Sequence, residues 1–241
     1  MTIRVIRAGE HIQHIPGYGI SVRESGVAVA TSNWWEVPGK TCVAAYQPKG
    51  AASLAASYSN LANPGTNNAA PGVAPDWNAT DGWVFNGTDD WLTTGIRSTA
   101  TLTSVVRYVN GTATTARGIL GTYSTLGVRR HAIGVDDADM CYWWASLQNY
   151  TWGTPASGIA ALSGQTTSGV CYKDGSALGT LSTSWGAGGY GIIFLGAVSG
   201  GASVYTSILT YFDGSIQAVA IYAEGLDATE VGTLGTAMAA L

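Results

Sequence analysis

With 241 residues, the chain is long enough to bury about 70–75 % of its unfolded surface, so disulfide staples are not required. Charged residues are 11 % of the chain, against a typical ~25 %, which together with 9 Trp and 12 Tyr argues against a disordered chain, since such chains are charged and poor in aromatics. A net charge of −4, with no Lys/Arg cluster larger than Arg129-Arg130, excludes the basic stripe of a nucleic-acid binder.

Residues 1–40 contain short alternating pieces at 2–7, 19–23 and 26–29, broken by Gly and Pro. They concentrate Arg4, Arg7, Arg23, His11 and His14. This segment reads as an N-terminal arm or accessory β segment, and residues 41–241 as one sandwich domain. The first nine residues lack the long apolar core of a signal peptide. No apolar run approaches the ~18 residues of a membrane span. Membrane insertion is not expected, and an extracellular site would be reached by another route, such as release with a virus particle.

From Thr41 the β rhythm is steady. Residues 42–46 form an apolar strand, and residues 48–75 read as an ordered surface loop with a helical turn near 51–57. Residues 83–85 and 91–93 follow, joined by Asn86-Gly87, a strong turn signal. Further strands are expected at 102–109, 118–123, 129–135, 140–145, 158–163, 170–173, 177–183, 192–197 and 214–222, mostly separated by Gly, Asn, Asp or Ser. Asp174-Gly175 has the positive-φ chemistry of a two-residue hairpin. One helix is expected at the end. Asp227 caps it, Glu230 completes a capping box, and Val231, Leu234 and Met238 recur at helical spacing. About ten to thirteen strands suit an all-β, two-sheet antiparallel jelly-roll sandwich. Cys42, Cys141 and Cys171 are an odd number without CxxC spacing, which favours buried free thiols over zinc.

The ordered set Cys42–Tyr46, the segment 82–92 (GWVFNGTDDWL), residues 104–109, the segment 170–175 (VCYKDG) and residues 213–222 followed by 226–238 resembles the laminin G-like branch of the concanavalin A-like lectin/glucanase superfamily. In that resemblance the segment 82–92 looks like a hairpin. The Gly/Ala/Ser/Thr-rich style also looks like domains of phage structural proteins. The superfamily includes glycoside hydrolases, which need two carboxylates about 5–5.5 Å apart for a retaining mechanism. Related glucanases carry them on an E-x-D-x-x-E strand, whereas this chain has no E-x-D, and its Glu residues are Glu10, Glu24, Glu36, Glu224 and Glu230. Enzymatic activity is therefore not expected, and His131 reads as a structural or surface histidine.

Two clusters are candidate binding sites. Asp136-Asp137-Ala138-Asp139 is the densest carboxylate run, and calcium takes oxygen ligands from such loops. Laminin G-like domains often carry calcium at a sandwich rim, so the resemblance implies Asp137 and Asp139 as ligands. A solvated loop is the alternative, as it is for Asp89-Asp90. Trp143 and Trp144, with Tyr150 and Trp152, form the densest aromatic cluster, suited to a sugar's apolar face or a protein interface. Core filling is the alternative. The resulting expectation is a non-enzymatic, virion-associated structural or decoration module, located on a virion or extracellularly. Its arm would dock onto virion or scaffold subunits or assemble a homo-oligomer by strand addition. A carbohydrate-binding lectin domain that contacts a surface glycan is the alternative, and a glycoside hydrolase a third.

Overall fold

The computed structural model describes residues 33–111, 117–124, 129–135, 140–144, 148–152, 157–181, 191–200 and 207–241; within 123–130, 140–152 and 199–209 that description is of backbone and register. In chain order the elements are β1 (Cys42–Tyr46), α1 (Leu54–Ser57), β2 (Ala70–Val73), β3 (Asp76–Asn78), β4 (Gly82–Asn86), β5 (Trp91–Arg97), β6 (Thr103–Asn110), β7 (Arg117–Ser124) and β8 (Arg129–Val135). They continue as β9 (Met140–Trp144), β10 (Gln148–Trp152), β11 (Gly158–Gly164), β12 (Gly169–Lys173), β13 (Ser176–Leu181), β14 (Ile192–Leu195), β15 (Ala197–Gly200), β16 (Ser207–Tyr211), β17 (Asp213–Tyr222) and α2 (Ala228–Ala239). The chain is a two-sheet antiparallel sandwich closed by a C-terminal helix, as the strand spacing predicts.

An eight-stranded sheet runs β13-β12-β11-β6-β17-β4-β3, with β1 also on β17. A nine-stranded sheet runs β10-β9-β8-β7-β14-β5-β2, with β15 on β7 and β16 on β15. The β7–β15 ladder is the parallel one among these pairs. The main core lies between the sheets. Trp83, Phe85, Val106, Tyr108, Leu162 and Ile221 enter it from the first sheet, and Leu92, Ile133, Val135, Ile193 and Leu195 from the second. Most of these side chains alternate along their strands, as period-two geometry requires.

The eight-stranded sheet is covered on its other face too. Val105, Ile159, Ala161, Tyr172, Ala218, Ala220 and Tyr222 pack under Val231, Leu234 and Met238 of α2. Strand β17 serves both layers through a bulge between Ile216 and Ala218. Ile216, Val219 and Ile221 point to the main core, whereas Ala218, Ala220 and Tyr222 point to the helix. In a regular strand Ile216 and Ala218, two residues apart, would share a face; the bulge takes up the residue between them and sets them on opposite faces. Gly82 approaches this bulge so closely that a Cβ would stand 2.4 Å from the Ile216 carbonyl oxygen.

Helix α2 is anchored at both ends. Asp227 accepts from Glu230 N at 2.9 Å and Glu230 Oε2 accepts from Asp227 N at 2.8 Å, which completes the expected capping box. Lys40 pairs with Glu230 at 3.3 Å, and Arg107 donates to the Met238 carbonyl at 2.6 Å. Residues 33–40 lie against this layer: Val37 is buried in it and Tyr222 donates its hydroxyl to the Trp35 carbonyl.

The segment between β1 and β4 holds more order than a loop. A buried Asn60 organises it, accepting from Ala45 N, Ala62 N and Asn63 N and donating to Val43 O and Thr66 O. Strands β2 and β3 add edges to the two sheets there. Asp174-Gly175 is a two-residue hairpin turn, with φ of 49° and 81° between the paired Lys173 and Ser176. Asn86-Gly87 differs from expectation. β4 pairs with β17 and β3, β5 with β14 and β2, so this turn is a corner between the two sheets and not a hairpin.

Candidate functional site

The aromatic candidates gather on one antiparallel strand pair at the edge of the nine-stranded sheet. Trp143 is opposite Asn149, Trp144 opposite Gln148, Tyr150 opposite Tyr142 and Trp152 opposite Met140. On its other side β9 joins β8, where Trp143 pairs with Ala132 and Trp144 with His131. Cross-strand neighbours sit about 4.5–5.5 Å apart, so this register brings together aromatic residues from two separate runs of sequence. Asp137 and Asp139 lie outside the described residues.

A second aromatic pair on the same sheet escaped sequence reasoning. Trp91 of β5 stacks on Phe194 of β14, with ring centroids 4.4 Å apart and planes at 20°. Gly72 lies against the Trp91 ring, where a Cβ would meet ring carbons at 1.9 Å. Trp91 is therefore held between Phe194 and the edge strand β2. No local pattern links these residues, because β5 and β14 become neighbours only when the sheet forms.

Asp89 and Asp90 form a turn. Asp90 accepts the Asn86 backbone N–H at 2.9 Å and Asp89 accepts from Asn86 Nδ2 at 2.8 Å. Burial raises the pKa of Asp90 above the ordinary carboxylate value, against the lowering effect of that hydrogen bond. No group of three or more His, Cys, Asp or Glu suited to a metal is present among the described residues.

His131 is buried between the sheets, with Nε2 2.9 Å from Ser104 Oγ on β6. Desolvation lowers its pKa to about 3, so the ring is neutral at pH 7 and serves as a polar tie across the core. Cys171 is a free thiol in the main core, and Cys42 is a partly buried free thiol whose pKa burial pushes up to about 12.

One groove of about 420 Å³ lies between the β12–β13 turn and α2. Asp174, Ser176 and Thr236 rim it, with Ile159, Gly232 and Gly235 among its walls. The Asp174 carboxylate accepts from Ile159 N at 2.8 Å and from Lys173 Nζ, so the wall is preorganised.

Comparison with known proteins places this fold. No family model and no curated protein matches the sequence. A Trypanosoma rangeli sialidase in complex with 2,3-difluorosialic acid, a covalent intermediate, aligns with a TM-score of 0.58 and 14 % identity over 83 % of this chain and 33 % of that one. The same sialidase in complex with sialic acid gives 0.59 and 14 % over 80 % and 32 %. The sandwich is shared with sialidases. The carbohydrate-binding module of a Ruminococcus gnavus sialidase bound to α2,3-sialyllactose reaches only 0.44, at 15 % identity over 56 % of this chain and 82 % of that one, and adds nothing to the assignment.

The chain spans about a third of the length of the T. rangeli sialidases it matches, and at such low identity the likeness is one of fold. The resemblance read from the sequence holds at the level of an antiparallel jelly-roll sandwich, while the laminin G branch finds no family match. These neighbours overturn the reading as a virion structural or decoration module. The expectation of no enzymatic role falls with it, because the T. rangeli chains that share the fold are sialidases, and the carbohydrate alternative fits them better. The missing E-x-D strand could not settle that question, since it tests one arrangement of carboxylates alone. No helix among the described residues is long and apolar enough to cross a membrane.

Proposed function

We propose that this sandwich is a glycan-binding domain whose contact surface is the aromatic strand pair β9–β10. The observation that carries the reading is a sandwich shared with sialidases over 80–83 % of the chain. The density of Trp and Tyr on β9 and β10 supports it, because aromatic rings suit the apolar face of a pyranose. Sialylated glycans are the first class to test, since the matched structures hold sialic acid or its difluoro analogue.

A glycan array of sialylated and neutral oligosaccharides tests the reading directly. Binding that is lost in Trp143→Ala/Trp144→Ala and kept in Ser176→Trp, which crowds the groove beside α2, supports it. No binding by the wild type, or binding unchanged in the tryptophan variant, overturns it. A fluorogenic sialoside assay on the same samples asks whether the chain also hydrolyses what it binds.

Asp137 and Asp139 are the proposed ligands of a calcium ion, on the preference of hard cations for oxygen. Calorimetry should show calcium binding lost in Asp137→Ala/Asp139→Ala, and equal affinity in wild type and variant removes the assignment.

A further inference from the structure

The chain carries two Asn-Gly dipeptides in the same tripeptide, Asn86-Gly87-Thr88 and Asn110-Gly111-Thr112. Both end strands that flank the start of β17, with Asn86 opposite Asp213 and Asn110 opposite Gly214. Their surroundings differ in three respects that bear on one reaction, the closure of an asparagine side chain onto the following backbone nitrogen.

The first is the nucleophile. Gly111 N–H donates to the Asp213 carbonyl at 2.9 Å, and Asn110 N–H donates to Ser157 Oγ at 3.0 Å. Gly87 N–H has no hydrogen-bond partner among the described residues. The second is the electrophile. Asn86 Oδ1 accepts from Thr88 N at 2.8 Å and Asp89 N at 3.1 Å, two donors placed where negative charge develops on attack. Asn110 Oδ1 is buried without a hydrogen-bond partner among the described residues. The third is access, since Asn86 is exposed at a corner between sheets.

We propose that Asn86 is a self-modifying position, at which the folded chain promotes deamidation while it protects Asn110. The Gly87 nitrogen attacks Asn86 Cγ and a C–N bond forms. The nitrogen's proton passes to water, the Cγ–Nδ2 bond breaks, and ammonia leaves with the proton it needs from solvent. Water then opens the cyclic imide at either carbonyl, giving aspartate or isoaspartate. No oxidant, reductant or enzyme is required.

The product alters the corner. A carboxylate at position 86 faces Asp89, which now accepts from Asn86 Nδ2 at 2.8 Å, so attraction becomes like-charge repulsion. The isoaspartate form also inserts a methylene into the backbone where β4 meets β17. The net charge moves from −4 to one unit more negative. The corner thus records the age of the molecule.

Peptide mapping by mass spectrometry during incubation of the full chain at mildly alkaline pH tests this. The folded protein should gain one dalton at Asn86 about tenfold faster than at Asn110, the rate equivalent of one hydrogen bond broken. In concentrated urea the two rates should converge, because the tripeptides are identical. Asn86→Gln should abolish the gain at that position. Equal rates in the folded chain, or faster reaction at Asn110, overturn the proposal.

Discussion

His131 makes the sandwich sensitive to mild acid. Its ring is fully buried and its pKa falls from 6.5 to about 3 through desolvation. A depressed histidine pKa means that the unfolded chain takes up a proton that the folded chain refuses. The associated stability is present above pH 6.5 and is lost as pH falls toward the folded value. From pH 6.5 to pH 4 the loss is about 3 kcal/mol, at ~1.36 kcal/mol per pH unit. That is a large share of the ~5–15 kcal/mol that holds a typical domain. Urea unfolding of the wild type and of His131→Gln at pH 7 and pH 4 isolates the effect, because carboxylate titration is common to both. Glutamine can keep a hydrogen bond to Ser104 but does not titrate. The wild type should lose about 3 kcal/mol more than the variant. Equal losses in the two proteins would refute the argument, because the proton would then have no differential effect at this site.

Asn60→Ala should destabilise the fold by about 2–4 kcal/mol, since it leaves several buried backbone groups without partners; chemical denaturation at pH 7 measures it. Asp227→Ala removes the cap of α2 and should cost about 1 kcal/mol, read as a drop in Tm with the strand signal of the circular dichroism spectrum unchanged.

Local chemistry made much of the fold legible. The capping box at Asp227 and Glu230 and the Asp174-Gly175 hairpin both stand where their residues predict, because each depends on contacts within a few positions. Asn86-Gly87 shows the limit of such signals. The dipeptide encodes a change of direction but not the partners of the strands it joins, and here those strands enter different sheets. Strands β2 and β3 were hidden for a related reason. Pro71 and Gly72 carry poor strand propensity, and the pairing with β5 holds them. Of the candidate site, the aromatic runs were visible as composition, while their mutual register and the Trp91–Phe194 stack required the assembled sheet.

The bulge in β17 carries a further consequence for how this chain tolerates change. Side chains along a strand are read in two alternating frames, and the extra residue between Ile216 and Ala218 shifts the frame midway. Substitutions at Gln217 alter one side chain. Deleting it would leave Ile216 and Ala218 consecutive, opposite the consecutive Tyr108 and Arg107 of β6 and facing the two layers they already face, so the ladder would close without a change of frame. Loss of a residue in the regular run beyond the bulge, such as Val219, would instead turn Ala220 toward the main core and Ile221 toward α2, so β17 tolerates a change of length at the bulge and nowhere beyond it.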